Sequence, residues 1–280
     1  MIPRIPKTIL ILFAAALTWG AAARVCAFER QTVDDNPTLS LYWATRTIPV
    51  FPQFDGTTNT GPAGVEVAML DAFAEWENAG GCTDIQLMSM GMPASLTTNL
   101  DGGDFDGLNR IVFRRTWPTA ASPTALALTT VVYDRRTGVI QDADIDLNDE
   151  RFFWTTAADT ATLNDVQNTV THELGHLLGF AHVPDPSATM FADSPEGEID
   201  KRSLGSDDVD AVCTVYPRGA PTPGAVRRTG VSRGALTGVS SCTVSRIGAP
   251  TGAGALGPAC LVVCLLALGR TFRRTSRRSS

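Results

Sequence analysis

Apolar side chains recur in two distinct periods along the middle of this chain. Val65, Met69, Phe73 and Trp76 fall at helical spacing, with Glu66, Asp71, Glu75 and Glu77 between them. This predicts an amphipathic helix of about four turns, closed by Gly80-Gly81 and packed by its aromatic stripe. A second helical stripe runs Val166, Val170, Leu174, Leu177 and Leu178, with Asn164 and Gln167 spaced as a capping box at its start. A third helix is predicted from Ser206 to Tyr216, with Ser206 as N-cap, Asp207 and Asp208 in its first turn, and Val209, Val212 and Tyr216 facing inward. Shorter runs read as strands: Ser40–Trp43 with Thr47–Phe51, then Asp84–Met88, Arg110–Arg115, Ala125–Tyr133 and Val139–Leu147. The last sets Ile140, Ala143, Ile145 and Leu147 against Asp142, Asp144 and Asp146. Asp134 to Gly138 has the composition of a hairpin turn before it. The Gly- and Asp-rich stretch from Asp101 to Gly107 leaves calcium open, but it lacks EF-hand spacing and a solvated loop is the plainer reading.

The two ends have a different character. Arg4 and Lys7 precede an apolar run from Thr8 to Leu17, followed by small residues up to Ala27. This reads as a secretory signal over 1–27, cleaved after Ala27 or Ala23. Residues 28–37 form a polar lead into a domain spanning 28–217. Residues 218–250 are rich in Pro, Gly, Ser, Thr and Arg without periodicity, and read as a disordered linker. Residues 252–269 are uncharged and apolar, and Arg270, Arg273, Arg274, Arg277 and Arg278 follow them. The segment 251–280 therefore reads as a membrane or sorting segment with a basic tail that stays cytoplasmic if the anchor is retained. The expected location of the domain is extracellular or on the cell surface.

Charge and cysteine usage agree with export. All 29 acidic residues fall in 28–217, against 10 Arg and Lys there, for a net charge of −19. Such a domain is a poor partner for nucleic acid, and most of these carboxylates are expected to be solvated surface charge. Cys82 and Cys213 are the two cysteines of the domain. In an exported protein they favour a disulfide from the end of the first helix to the closing helix, with two buried free thiols as the alternative.

The chain has three histidines, and all stand in Thr171-His172-Glu173-Leu174-Gly175-His176-Leu177-Leu178-Gly179-Phe180-Ala181-His182. Two histidines four apart on a helix share a face and can reach one metal ion. Glu173 stands beside the first, where its carboxylate can take a proton from water held at the metal. Gly179 can end the helix with a left-handed backbone, turning the chain so that His182 returns as a third ligand. Three protein ligands with one open position describe a catalytic zinc site.

The motif resembles that of the metzincin zinc metallopeptidases. From His182 through Asp185-Pro186-Ser187-Ala188-Thr189-Met190-Phe191 it is most similar to the matrixins, with Met190 as the methionine of the turn beneath the zinc. The closing-helix stretch from Ser206 to Tyr216 and the early helix with Phe73 and Trp76 extend the resemblance over roughly 40–217. It implies an α+β fold of zincin type. A mixed twisted sheet would pack on the first helix and the zinc helix, with a small C-terminal subdomain holding the methionine turn and closing helix. It also implies a zinc-dependent endopeptidase acting on protein or peptide, with Glu173 as general base. The chain departs from the family pattern in several places. Ala192 stands where related enzymes carry a tyrosine ligand and where matrixins usually carry proline. No histidine is left for a second, structural zinc, and no P-R-C-G motif is present. The C-terminal block is similar to a myxobacterial C-terminal sorting signal, with Cys242 as its candidate cysteine. The alternative reading is a catalytically silent zinc-binding surface or adhesion protein, but such a protein has no chemical need for Glu173.

Overall fold

The structure, a computed structural model, describes residues 28–102, 105–158, 161–223 and, as backbone, 239–245. The signal over 1–27 and the apolar segment over 252–269 lie outside these residues. Among the described residues no helix is long and apolar enough to cross a membrane.

Short strands β1 (Glu29–Arg30), β2 (Thr32–Val33) and β3 (Asn36–Ser40) lead into β4 (Thr47–Pro52). Helix α1 (Pro62–Glu77) follows, then β5 (Gln86–Ser89), β6 (Asn109–Arg114), β7 (Ala125–Tyr133), β8 (Ile140–Asn148), β9 (Trp154–Thr155) and β10 (Asn164–Asp165). Helix α2 (Val166–Leu177), β11 (Phe180–Ala181), α3 (Ser206–Val215) and β12 (Val239–Ser245) complete the order. The main sheet runs β12-β7-β8-β6-β4-β5. Strands β5, β4, β6 and β8 are parallel, while β7 is antiparallel to β8. A mixed sheet with helices agrees with the α+β expectation.

The core lies between this sheet and the two long helices. Val65, Met69, Ala72 and Trp76 of α1 and Val166, Val170, Leu174 and Leu177 of α2 are fully buried with Ile48, Val50, Ile111 and Ile145 of the sheet. Helix α1 begins earlier than its apolar stripe indicates, because Gly61-Pro62 opens it. Proline suits the first helical position, where no N–H is needed. The start of α2 also differs. Asp165, not Asn164 with Gln167, is its N-cap, accepting from the Asn168 N–H at 2.8 Å. Asn164 is instead drawn into the parallel pair β9–β10. At α3 the N-cap is Gly205 rather than Ser206, and the N–H of Gly205 donates to Asp208 at 3.0 Å.

Larger differences come from tertiary contacts. The polar lead pairs as β1 against β11, Glu29 with Ala181 and Arg30 with Phe180. Residues 239–245, inside the stretch read as a disordered linker, form β12 on the free edge of β7. That edge supplies hydrogen-bonding partners that local sequence cannot reveal. Cys82 and Cys213 form a disulfide with Cα atoms 5.3 Å apart, spanning 131 residues.

The acidic face of β8 is not solvated. Asp142, Asp144 and Asp146 are all fully buried, covered by residues 98–101 and 107–110. The N–H groups of Asn99 and Arg110 donate to Asp144 at 2.8 Å each, Thr98 Oγ1 donates to Asp146 at 2.9 Å, and Arg114 Nε donates to Asp146 at 2.5 Å. Burial pushes the Asp144 carboxyl up from 3.8 to about 7, and neighbouring Asp142 adds to the rise. Burial likewise pushes Asp146 up to about 6, against the opposing pull of Arg114. A raised folded-state value means that the folded chain holds these protons after the unfolded chain has lost them. The contribution of this pair to stability therefore falls as pH rises from about 4 to about 7 and levels above that. Denaturation midpoints are expected to show the wild type losing stability relative to Asp144→Asn as pH rises across this window, so that the two proteins differ in slope. An unchanged slope in the variant would contradict this account of the cluster.

Candidate metal centre

Helix α2 carries the first two histidines into the interior, and every residue from Asn168 to Leu177 is buried. A helix buried on all sides must satisfy its last carbonyls without water. Trp43 Nε1 donates to Leu177 O at 2.8 Å and Tyr216 Oη donates to Leu178 O at 2.7 Å. The chain then turns at Gly179, whose φ is +91°. A Cβ there would also stand 2.8 Å from Leu41 O, so the turn requires glycine for space as well as for conformation. Gln31 N–H donates to Gly179 O at 2.9 Å, and the β1–β11 pair continues from it. The N-terminal lead thus clamps the segment that presents His182.

The three imidazoles converge. His182 Nε2 lies 3.1 Å from His172 Nε2 and 3.0 Å from His176 Nε2. Their ligand atoms all fall within 4.8 Å of one another, and this is the metal-capable group of His, Cys, Asp and Glu among the described residues. Two of the rings are oriented from behind. His172 Nδ1 lies 2.6 Å from Thr189 O, and His176 Nδ1 lies 2.8 Å from Phe180 O. A carbonyl only accepts, so each Nδ1 carries the hydrogen and each Nε2 keeps a free lone pair. Burial lowers the basicity of all three rings, His172 well below its ordinary value, His176 to about 3 and His182 to about 4. They are neutral at neutral pH, as a metal ligand must be.

Glu173 is fully buried beside this cluster. Thr129 Oγ1 of β7 donates to its Oε2 at 2.5 Å, while Oε1 has no hydrogen-bond partner. Burial pushes the Glu173 carboxyl up to about 8, against the Thr129 hydrogen bond. A nearby dication would favour the ionised form. The free oxygen, the two Nε2 lone pairs and the His182 ring that meets them fit a divalent ion of zinc type with a water beside it.

Met190 lies under α2 with 2% of its surface exposed. A Cβ on Gly175 would overlap Met190 Sδ and crowd Trp76. The turn carrying Met190 is held by one carboxylate. Asp208 accepts from the N–H of Thr189 at 2.6 Å, of Met190 at 3.2 Å and of Gly205 at 3.0 Å. The same turn thereby places Thr189 O behind His172.

Residues 101–217 match the family model for matrixin, Peptidase_M10. The chain is also 38% identical over 60 residues to neutrophil collagenase of Homo sapiens. That match covers 19% of this chain and 13% of the collagenase, so the chain spans a small fraction of that relative's length. The segment matched by the family model carries the histidines, Glu173, Met190 and α3, and it supports a metalloendopeptidase assignment. Zinc is the ion that the matrixin family binds.

All of the residues singled out in the motif are brought together: His172, His176, His182, Glu173, Gly179 and Met190. Cys82 and Cys213 lie apart from them and tie α3 to the end of α1. Sequence reasoning missed Gly175, Asp208 and Thr129. Asp208 was visible only as an acid near a helix start, and Gly175 only as a filler position of the motif. Thr129 carried no local signal at all. Gly175→Ala is expected to lower stability by about 1–3 kcal/mol, since the added methyl displaces Met190 from a packed site. Urea denaturation measures this, and a midpoint equal to the wild type would contradict the close approach.

Proposed function

We propose that this chain is an exported zinc-dependent endopeptidase, with His172, His176 and His182 as metal ligands and Glu173 as general base. The observation that carries this reading is the juxtaposition of three converging Nε2 atoms with a buried carboxylate that has one oxygen uncommitted. A zinc ion bound there supplies Lewis acidity, polarising the scissile carbonyl and making a water more acidic.

The remaining work falls to side chains of this chain. Thr129 holds Glu173 through Oε2, so Oε1 is the atom left to take a proton from the attacking water. Returning that proton to the departing nitrogen completes hydrolysis of the peptide bond. The burial of Glu173 excludes bulk water from this exchange. The edge of β7 beside Thr129 suits an extended peptide, whose backbone can add to it as a strand. Substrate is therefore expected to be protein or peptide in extended form. The Cys82–Cys213 disulfide supports export, because such bridges persist in oxidising compartments. The signal over 1–27 and the anchor over 251–280 remain part of this proposal.

Glu173→Gln keeps the shape of the side chain and removes its basicity. It is expected to cut casein hydrolysis by at least about a hundredfold while leaving one zinc per chain. His182→Ala is expected to lose both zinc and activity. Hydrolysis by Glu173→Gln at the wild-type rate would overturn the mechanism. A wild-type protein that retains zinc but cleaves nothing would favour a silent zinc-binding protein.

A further inference from the structure

The edge of β7 that suits a peptide is already taken. Strand β12 runs antiparallel along it, pairing Val239 with Val132, Ser240 with Val131, Ser241 with Thr130, Cys242 with Thr129 and Thr243 with Leu128. After a register shift, Ser245 pairs with Ala125. The other edge of β7 is bonded to β8 over Ala127 to Tyr133. β7 therefore has one edge to offer, and β12 spans nearly its whole length.

The position is significant because of Thr129. It faces the same side of the sheet as Ile145, its partner on β8, and its hydroxyl reaches Glu173. Cys242 is the residue paired with Thr129, so β12 crosses the edge directly beside the centre. The sequence of β12, Val-Ser-Ser-Cys-Thr-Val-Ser, has no charge and no proline to oppose pairing, and Val and Thr favour strands. A bare hydrophobic edge of nine residues would be an association hazard, and covering it is a common remedy.

We propose that residues 239–245 are an intramolecular occupant of the peptide-binding edge, restraining the peptidase site of the same chain until they leave it. This rests on the peptidase reading above. Backbone ladders are exclusive: an extended substrate and β12 cannot pair with the same N–H and C=O groups of β7 at once. A tethered strand competes at an effective concentration on the order of millimolar. The segment thus raises the substrate concentration needed for half-maximal rate, but does not change turnover once substrate is bound. If the edge is free in a tenth of molecules, the apparent KM rises about tenfold.

The test compares the full chain with Ser241→Pro/Cys242→Pro. Adjacent N–H groups of a strand point to opposite sides, so one of these two faces β7, and proline removes it. Hydrogen exchange of Ala125–Val132 reads the pairing without reference to activity. Hydrolysis of a fluorogenic peptide reads the competition. The expected result is faster exchange at the β7 amides that face β12, with KM lowered about tenfold and kcat unchanged. A synthetic peptide of residues 237–247, added to the variant, is expected to restore both protection and the higher KM. Unchanged exchange would overturn the pairing. Faster exchange with an unchanged KM would overturn the restraint. Absence of hydrolysis by both proteins, each with zinc bound, would overturn the peptidase reading and the restraint with it, while exchange still reports on the pairing.

Discussion

Two carbonyl oxygens set the geometry of the centre. Thr189 O and Phe180 O stand behind His172 and His176 and hold the hydrogen of each ring on Nδ1. Without them either ring could present Nδ1 or Nε2, and the three lone pairs would not be forced to converge. Much of the surrounding structure serves to place those two oxygens. Asp208 gathers three N–H groups and pins the turn that bears Thr189. Gly179, Gln31 and β1 pin the segment that bears Phe180. The Cys82–Cys213 bridge ties α3, and with it Asp208, to the end of α1.

Helix α2 accordingly pairs an unusual degree of burial with ionisable side chains. Its apolar stripe packs on the core, while His172, Glu173 and His176 are buried as well. Buried groups of this kind are costly unless they are satisfied, and here each has a partner except for the atoms aimed at the centre. The three Nε2 atoms and Glu173 Oε1 are those atoms. A buried carboxylate oxygen without a partner, facing three converging Nε2 atoms, is the physical signature of a ligand site.

How much could be read from the chain alone depended on the range of the interaction. The histidine spacing, the turn at Gly179 and the apolar stripes of α1 and α2 are local, and β7 spans Ala125–Tyr133 as its pattern predicts. Resemblance added Met190. What stayed hidden was non-local. Asp142, Asp144 and Asp146 alternate like a solvated face, but a loop more than 30 residues earlier folds over them. Asp208 reads as a helix-start acid until Thr189 and Met190 are brought to it. Glu29–Arg30 and Val239–Ser245 have no periodicity of their own and become strands because β11 and β7 offer free edges. Thr129 gains its meaning only when β7 is laid against α2.

Three imidazoles presenting Nε2 to one ion, with a position left open, are the core of the proposed centre. X-ray absorption at the zinc edge, on the purified full chain, measures this most directly. The result predicted is one zinc per chain with three imidazole nitrogens at about 2.0–2.1 Å and one further oxygen ligand from solvent. A sulfur ligand, a fourth protein nitrogen, or no bound zinc would contradict it.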